Sequence, residues 1–96
     1  MATASKRSRS RLVNYMEELA DNYLAGVLAE YKGVRFSEAS REDIKALALN
    51  RLWPMYTTSD AGRTFLKKVI VEDRIEKDIV RELKLAIDKV RQNPRG

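Results

Sequence analysis

The segment Asp43-Ile44-Lys45-Ala46-Leu47-Ala48-Leu49-Asn50-Arg51-Leu52-Trp53-Pro54-Met55-Tyr56 constrains this chain more than any other. Ile44, Leu47, Ala48 and Leu52 recur at helical spacing. Pro54 cannot continue a helix, and it biases Trp53 towards an extended backbone. The stretch reads as a capped helix running into a Trp-Pro-Met-Tyr corner. Ala46, Ala48 and Leu49 add apolar surface beyond one face, which predicts a helix enclosed on more than one side. Lys45, Asn50 and Arg51 are its few polar groups, and they stand out as functional candidates for that reason.

Helical periodicity extends to both sides. Leu12, Val13, Met16, Leu19, Ala20, Tyr23, Leu24, Val27, Leu28 and Tyr31 form one stripe, with Ser10 as a candidate cap and Gly33 as a candidate stop. Residues 32–39 read as a loop in which Phe36 turns back onto the core. Ser40-Arg41-Glu42-Asp43 has the form of a capping box opening the second helix. Thr57-Thr58-Ser59-Asp60-Ala61-Gly62 reads as a turn and a new helix start. Residues 63–92 are helix-like throughout, with Phe65, Val69, Ile70, Ile75, Ile79, Leu83, Ile87 and Val90 as the apolar face. An unbroken helix there would reach about 45 Å, against a radius of gyration near ~13 Å for a domain of this size. The pattern predicts either a break near Val69-Ile70-Val71 or packing on a second subunit. The expected fold is all-α, a small domain of three or four helices, homodimeric, with residues 1–10 as a basic arm and residues 11–96 as the helical domain.

Composition closes off several classes of function. The chain of 96 residues has no cysteine and no histidine. That leaves no disulfide, no thiol nucleophile, no ordinary zinc site and no base titrating near neutral pH. Glycine is too scarce for a phosphate-cradling loop. No metal, cofactor or catalytic residue is expected, and the domain reads as non-enzymatic. No signal-peptide pattern or bilayer-length apolar run is visible, which predicts a cytoplasmic protein without membrane attachment. The net charge of +5 is concentrated in Lys6, Arg7, Arg9 and Arg11, with no acid among the first eleven residues. A cationic head on a nearly neutral body implies an anionic partner.

Several pieces together resemble the late-competence ComFB family. They are the opening Leu12-Val13-Asn14-Tyr15-Met16-Glu17-Glu18, the central acid followed by Ala46-Leu47-Ala48-Leu49-Asn50 and Pro54-x-Tyr56, and the closing Ala86-Ile87-Asp88-Lys89-Val90 with Asn93-Pro94-Arg95. The resemblance covers about residues 11–95. Competence-type members carry cysteines between the first two helices, which suggests metal binding there. This chain has Val34, Arg35, Phe36 and Ser37 in that loop, so the property does not carry over. Where Leu-Pro-Pro is usual it has Leu52-Trp53-Pro54. In this it looks like the cyanobacterial, CdgR-like branch of cyclic di-GMP receptors, which implies a small ligand-sensing dimer that signals to a transcription regulator or another protein.

The residue chemistry suits such a ligand. Phosphates favour arginine forks and lysine, and guanine edges favour arginine and carboxylate. Guanine faces stack on aromatic rings. The candidate ligand-binding residues are Lys6, Arg7, Arg9, Arg11, Asn14, Asp43, Lys45, Asn50, Arg51, Trp53 and Arg63. Each has a structural alternative. Asp43 also reads as a helix-start acid, Asn14 as a cap, Trp53 as a core or interface ring, and the basic head as a solvated tail. Tyr15, Tyr23 and Tyr31 read as packing residues. A nucleic-acid-binding accessory protein that uses the basic arm is the alternative function, since such arms grip phosphates in many small DNA-binding proteins.

Overall fold

The computed structural model describes residues 11–93, with the backbone alone at residues 70–73. In chain order the elements are β1 (Val13–Asn14), α1 (Tyr15–Leu28), α2 (Glu38–Leu49), β2 (Tyr56–Thr57), α3 (Asp60–Asp73) and α4 (Ile75–Gln92). The all-α expectation holds, with one two-residue antiparallel bridge added: Val13 faces Thr57 and Asn14 faces Tyr56.

The core lies where α1, α2 and α4 meet. Met16, Ile44, Ile79, Leu83 and Ile87 are its largest fully buried apolar side chains. On α4 the buried positions Ile79, Glu82, Leu83, Ala86, Ile87 and Val90 follow the three–four spacing of one helix face. Tyr31 meets Phe36 edge-on, with ring centroids 6.4 Å apart, so Phe36 does turn back onto the core.

Several boundaries differ from the sequence reading. The first helix begins at Tyr15, not at Leu12, which is left 65% exposed. The backbone of residues 13 and 14 is extended because it pairs with the strand after Pro54, and Asn14 caps the helix through its side-chain oxygen. The Ser10 cap lies outside the described residues. α1 stops at Leu28, and Gly33, at φ +81°, serves the turn beyond it. Ser37 caps α2, its Oγ accepting from the Ser40 amide at 3.0 Å. The Ser40–Asp43 capping box is therefore not the helix start: the helix opens one turn earlier, and Ser40 is buried inside it. Nor is α2 enclosed on several sides. Ile44 and Ala48 face the core, while Ala46 and Leu47 face outward.

The long C-terminal helix breaks, but at Arg74 rather than near residues 69–71. Arg74 sits in the left-handed region (φ 57°, ψ 33°), alone among the described non-glycine residues. A straight continuation would carry positions 68 and 72, a lysine and a glutamate, onto the stripe that runs through Ile75 and Ile79. Breaking after Asp73 frees α3 from that register. α3 leaves Phe65 64% exposed. A hydrogen bond from the Tyr23 hydroxyl to the Glu76 carboxylate clips α1 to the first turn of α4.

Two predictions follow from these joints. A β-branched residue tolerates the left-handed region worst, so Arg74→Val should lower unfolding free energy by about 1–2 kcal/mol, while Arg74→Gly stays within about 0.5 kcal/mol of the parent in urea titrations. The bond to Glu76, with burial and the Glu76 charge behind it, pushes the Tyr23 phenol up to about 12. The fold thus holds that proton more tightly than the unfolded chain does. Its stabilising contribution is complete below the ordinary tyrosine pKa near ~10 and is lost as pH rises through the folded value. Tyr23→Phe should remove this component of the alkaline fall in unfolding midpoint.

Candidate functional site

The two-residue bridge fixes the chain just after Arg11 at one end of the helical body. The Tyr15 amide donates to the Met55 carbonyl at 2.6 Å. The Asn14 side-chain oxygen accepts from the Met55 amide at 2.7 Å and from the Met16 amide at 3.2 Å. One residue thus caps α1 and anchors the corner after Pro54. Arg11 stands just ahead of this knot. It lines a small pocket with Val13, Thr57, Ser59, Asp60 and Arg63.

The opposite wall is the start of α3. Ser59 Oγ accepts from the Gly62 amide at 3.0 Å, and Thr57 Oγ1 packs against Gly62 so closely that a Cβ there would lie 2.2 Å from it. A side chain at position 62 would force Thr57 to shift. Arg63 then reaches back across α1. It pairs with Glu18 at 2.7 Å and Asp60 at 3.3 Å, and its guanidinium lies 5.8 Å from the Tyr15 ring centroid. Arg63 is therefore largely compensated, whereas Arg11 makes no ion pair among the described residues.

The remaining candidates separate into other places. Asn14 and Arg11 share a cleft with Tyr56, Glu17, Glu18 and Asp21. Lys45 lies between α1 and α2, paired with Asp21 at 2.7 Å and Glu42 at 2.9 Å. Its pKa is raised by these bonds, Asp21 first. Asn50 and Arg51 line a third cleft beside Leu47, Leu85 and Glu82. Arg51 Nε stands 3.3 Å from Glu82, an ion-pair distance without hydrogen-bond alignment. Asp43 is half-buried on α2, and Trp53 is 87% exposed at the corner, in neither core nor intrachain interface. Lys6, Arg7 and Arg9 lie outside the described residues.

Sequence reasoning missed Glu82 and Glu18. Glu82 is buried and takes Arg51 on one oxygen and Arg81, at 3.5 Å, on the other. Its signal was a carboxylate standing on the apolar stripe between Ile79 and Ala86. No cluster of metal-ligating side chains occurs among the described residues. No helix there is long and apolar enough to cross a membrane.

This arrangement is a small all-α fold with a strand-bridged corner, and it is seen in a solved structure. The late competence protein ComFB from Bacillus subtilis matches with a TM-score of 0.79, covering 88% of this chain and 93% of that one at 21% identity. At that identity the match fixes the fold alone. The family model described as late competence development protein ComFB matches residues 13–94, and the chain belongs to the ComFB family. No curated protein matches it.

The role of Asn14 can be tested directly. Its oxygen alone is used, so Asn14→Asp should fold nearly as well as the parent. Asn14→Ala should lower unfolding free energy by about 2 kcal/mol, losing a cap and leaving the Met55 amide unpaired. Urea denaturation of the two variants measures this.

Proposed function

We propose that this chain is a non-enzymatic, homodimeric receptor for cyclic di-GMP that passes its ligand state to a protein partner. The observation that carries the reading is the position of Arg11. The bridge fixes the arm's root, a guanidinium without an ion pair, beside the capped start of α3. Three further cations, Lys6, Arg7 and Arg9, precede it within five residues. A phosphate held at that end would meet guanidiniums on one side and the positive end of the α3 dipole on the other.

Two more features support it. Trp53 and Tyr56 present exposed rings at the adjoining corner, and purine faces stack on such rings. Leu12 just before β1, Tyr56 on β2 and Phe65 on α3 are exposed apolar side chains. A second copy would cover such surface, and a two-fold ligand suits a two-fold pair. Arg63 plays its part by holding α3 against α1. Glu18 and Asp60 take its two terminal nitrogens, while its Nε is buried without a hydrogen-bond partner, so we assign the phosphate contacts chiefly to residues 6–11.

Calorimetry with the full chain tests the reading. Cyclic di-GMP should bind, and Arg7→Ala combined with Arg11→Ala should weaken binding at least tenfold, since each charge-assisted bond is worth about 1.5–3 kcal/mol. Absence of heat and of any spectral shift at saturating cyclic di-GMP would reject it. Tighter binding to duplex DNA, with affinity falling steeply as salt rises, would favour the nucleic-acid reading instead.

A further inference from the structure

A cleft of about 700 Å³ opens between the end of α1, the connecting turn and the start of α2. Leu28, Val34 and Phe36, each half-buried, supply its larger apolar side chains. Phe36 is held in place by the edge-on contact with Tyr31, whose ring in turn lies 5.5 Å from the Arg91 guanidinium. The small, exposed residues Ala25 on α1 and Ala29 just after it line one side. The other carries Arg35 and Arg41.

These two arginines differ from the cations that brace the helical body. Lys45, Arg51, Arg63, Arg81 and Lys84 are each paired with a carboxylate. Arg35 and Arg41 are exposed and make no ion pair among the described residues. No acid lines this cleft with them; Asp21, Glu38 and Glu42 line the adjoining cleft that Arg41 also borders. Two guanidiniums without an ion pair beside these apolar side chains attract an occupant that is both anionic and apolar.

The shape discriminates between such occupants. A free phosphate needs convergent donors in a tight cradle. Here the guanidiniums stand on exposed stems at the rim of a wide trough, and the nearby Ser37 hydroxyl oxygen is already engaged in capping α2. Small side chains at Ala25 and Ala29 let a peptide backbone come close to α1. Carboxylates pair with arginine through two parallel bonds, and apolar side chains would pack on Leu28, Val34 and Phe36.

We propose that this cleft is the docking surface for a protein partner, and that the docked segment is acidic with interspersed apolar residues. The inference goes beyond the cyclic di-GMP reading and does not depend on it, because the cleft shares no lining residue with the Arg11 pocket.

The test is selection of a random twelve-residue peptide display library on the full chain, followed by anisotropy titration of the enriched peptides. Enriched sequences should combine Asp or Glu with Leu, Ile, Val or Phe. Arg35→Glu with Arg41→Glu should weaken them at least tenfold, with unchanged circular dichroism and melting. Peptides with lysine replacing each acid should then bind the double variant in preference to the parent. Cyclic di-GMP affinity should be the same in both proteins. Failure to enrich any peptide, enrichment without acids, or equal binding to the double variant would overturn the proposal. So would loss of cyclic di-GMP binding in that variant, which would make the cleft a nucleotide site. Arginine-dependent binding to phosphatidylglycerol vesicles would overturn it as well, by assigning the cleft to a lipid surface.

Discussion

Three backbone amides around Asn14 hold the architecture together. Two of them, those of Met16 and Met55, donate to one side-chain oxygen, and the third, that of Tyr15, donates to the Met55 carbonyl. Without this knot, α1 would have no fixed start and the chain after Pro54 no fixed return. The return matters because it brings Tyr56 and Thr57 alongside Val13 and Asn14. It also sets the direction in which α3 leaves. The placement of Arg11 beside the start of α3 is a consequence of this small polar junction. Apolar packing supplies cohesion through α1, α2 and α4, but burial is non-directional. The hydrogen bonds at Asn14 supply the register.

Charge compensation sorts the cations of the helical body by role. A guanidinium or ammonium close to a carboxylate already has its charge offset, and an incoming anion must compete with that partner. Lys45, Arg51 and Arg63 are in this position. They join helices: Lys45 ties α2 to α1, Arg63 ties α3 to α1, and Arg51 ties the end of α2 to buried Glu82 on α4. Arg11, Arg35 and Arg41 have no such partner among the described residues, and each lines a cleft. They lie in two separate places, the arm's root and the α1–α2 cleft. A domain with two such places can hold a small ligand at one and a protein at the other.

Much of the fold was legible in the sequence because helical periodicity is a local signal. The stripes through Met16–Val27, Ile44–Ala48 and Ile79–Val90 each repeat at three and four residues, and each became a core face. Pro54 marked the corner, and the composition left an all-α domain. The competence-family resemblance was carried by residues that stand in order along the chain, and it survives in the family match over residues 13–94. The helix starts were harder to read. Ser37 and Ser40–Asp43 both offer capping chemistry, and the choice between them rests on which backbone enters the core. Leu12 and Val13 extend the apolar stripe of α1, yet they lie outside the helix because a strand forty residues away claims that backbone.

The sequence by itself determined the class of fold, the helical faces and the asymmetric charge, because these depend on neighbours within a few residues. Tertiary structure decided which cations are spent on internal ion pairs, where the long C-terminal helix breaks, and that Trp53 points away from the core. Those outcomes depend on contacts between residues far apart in the chain, such as Arg63 with Glu18 and Asn14 with Met55. A local pattern can show that a charge or a polar oxygen is present. Only the packed chain shows whether it already has a partner.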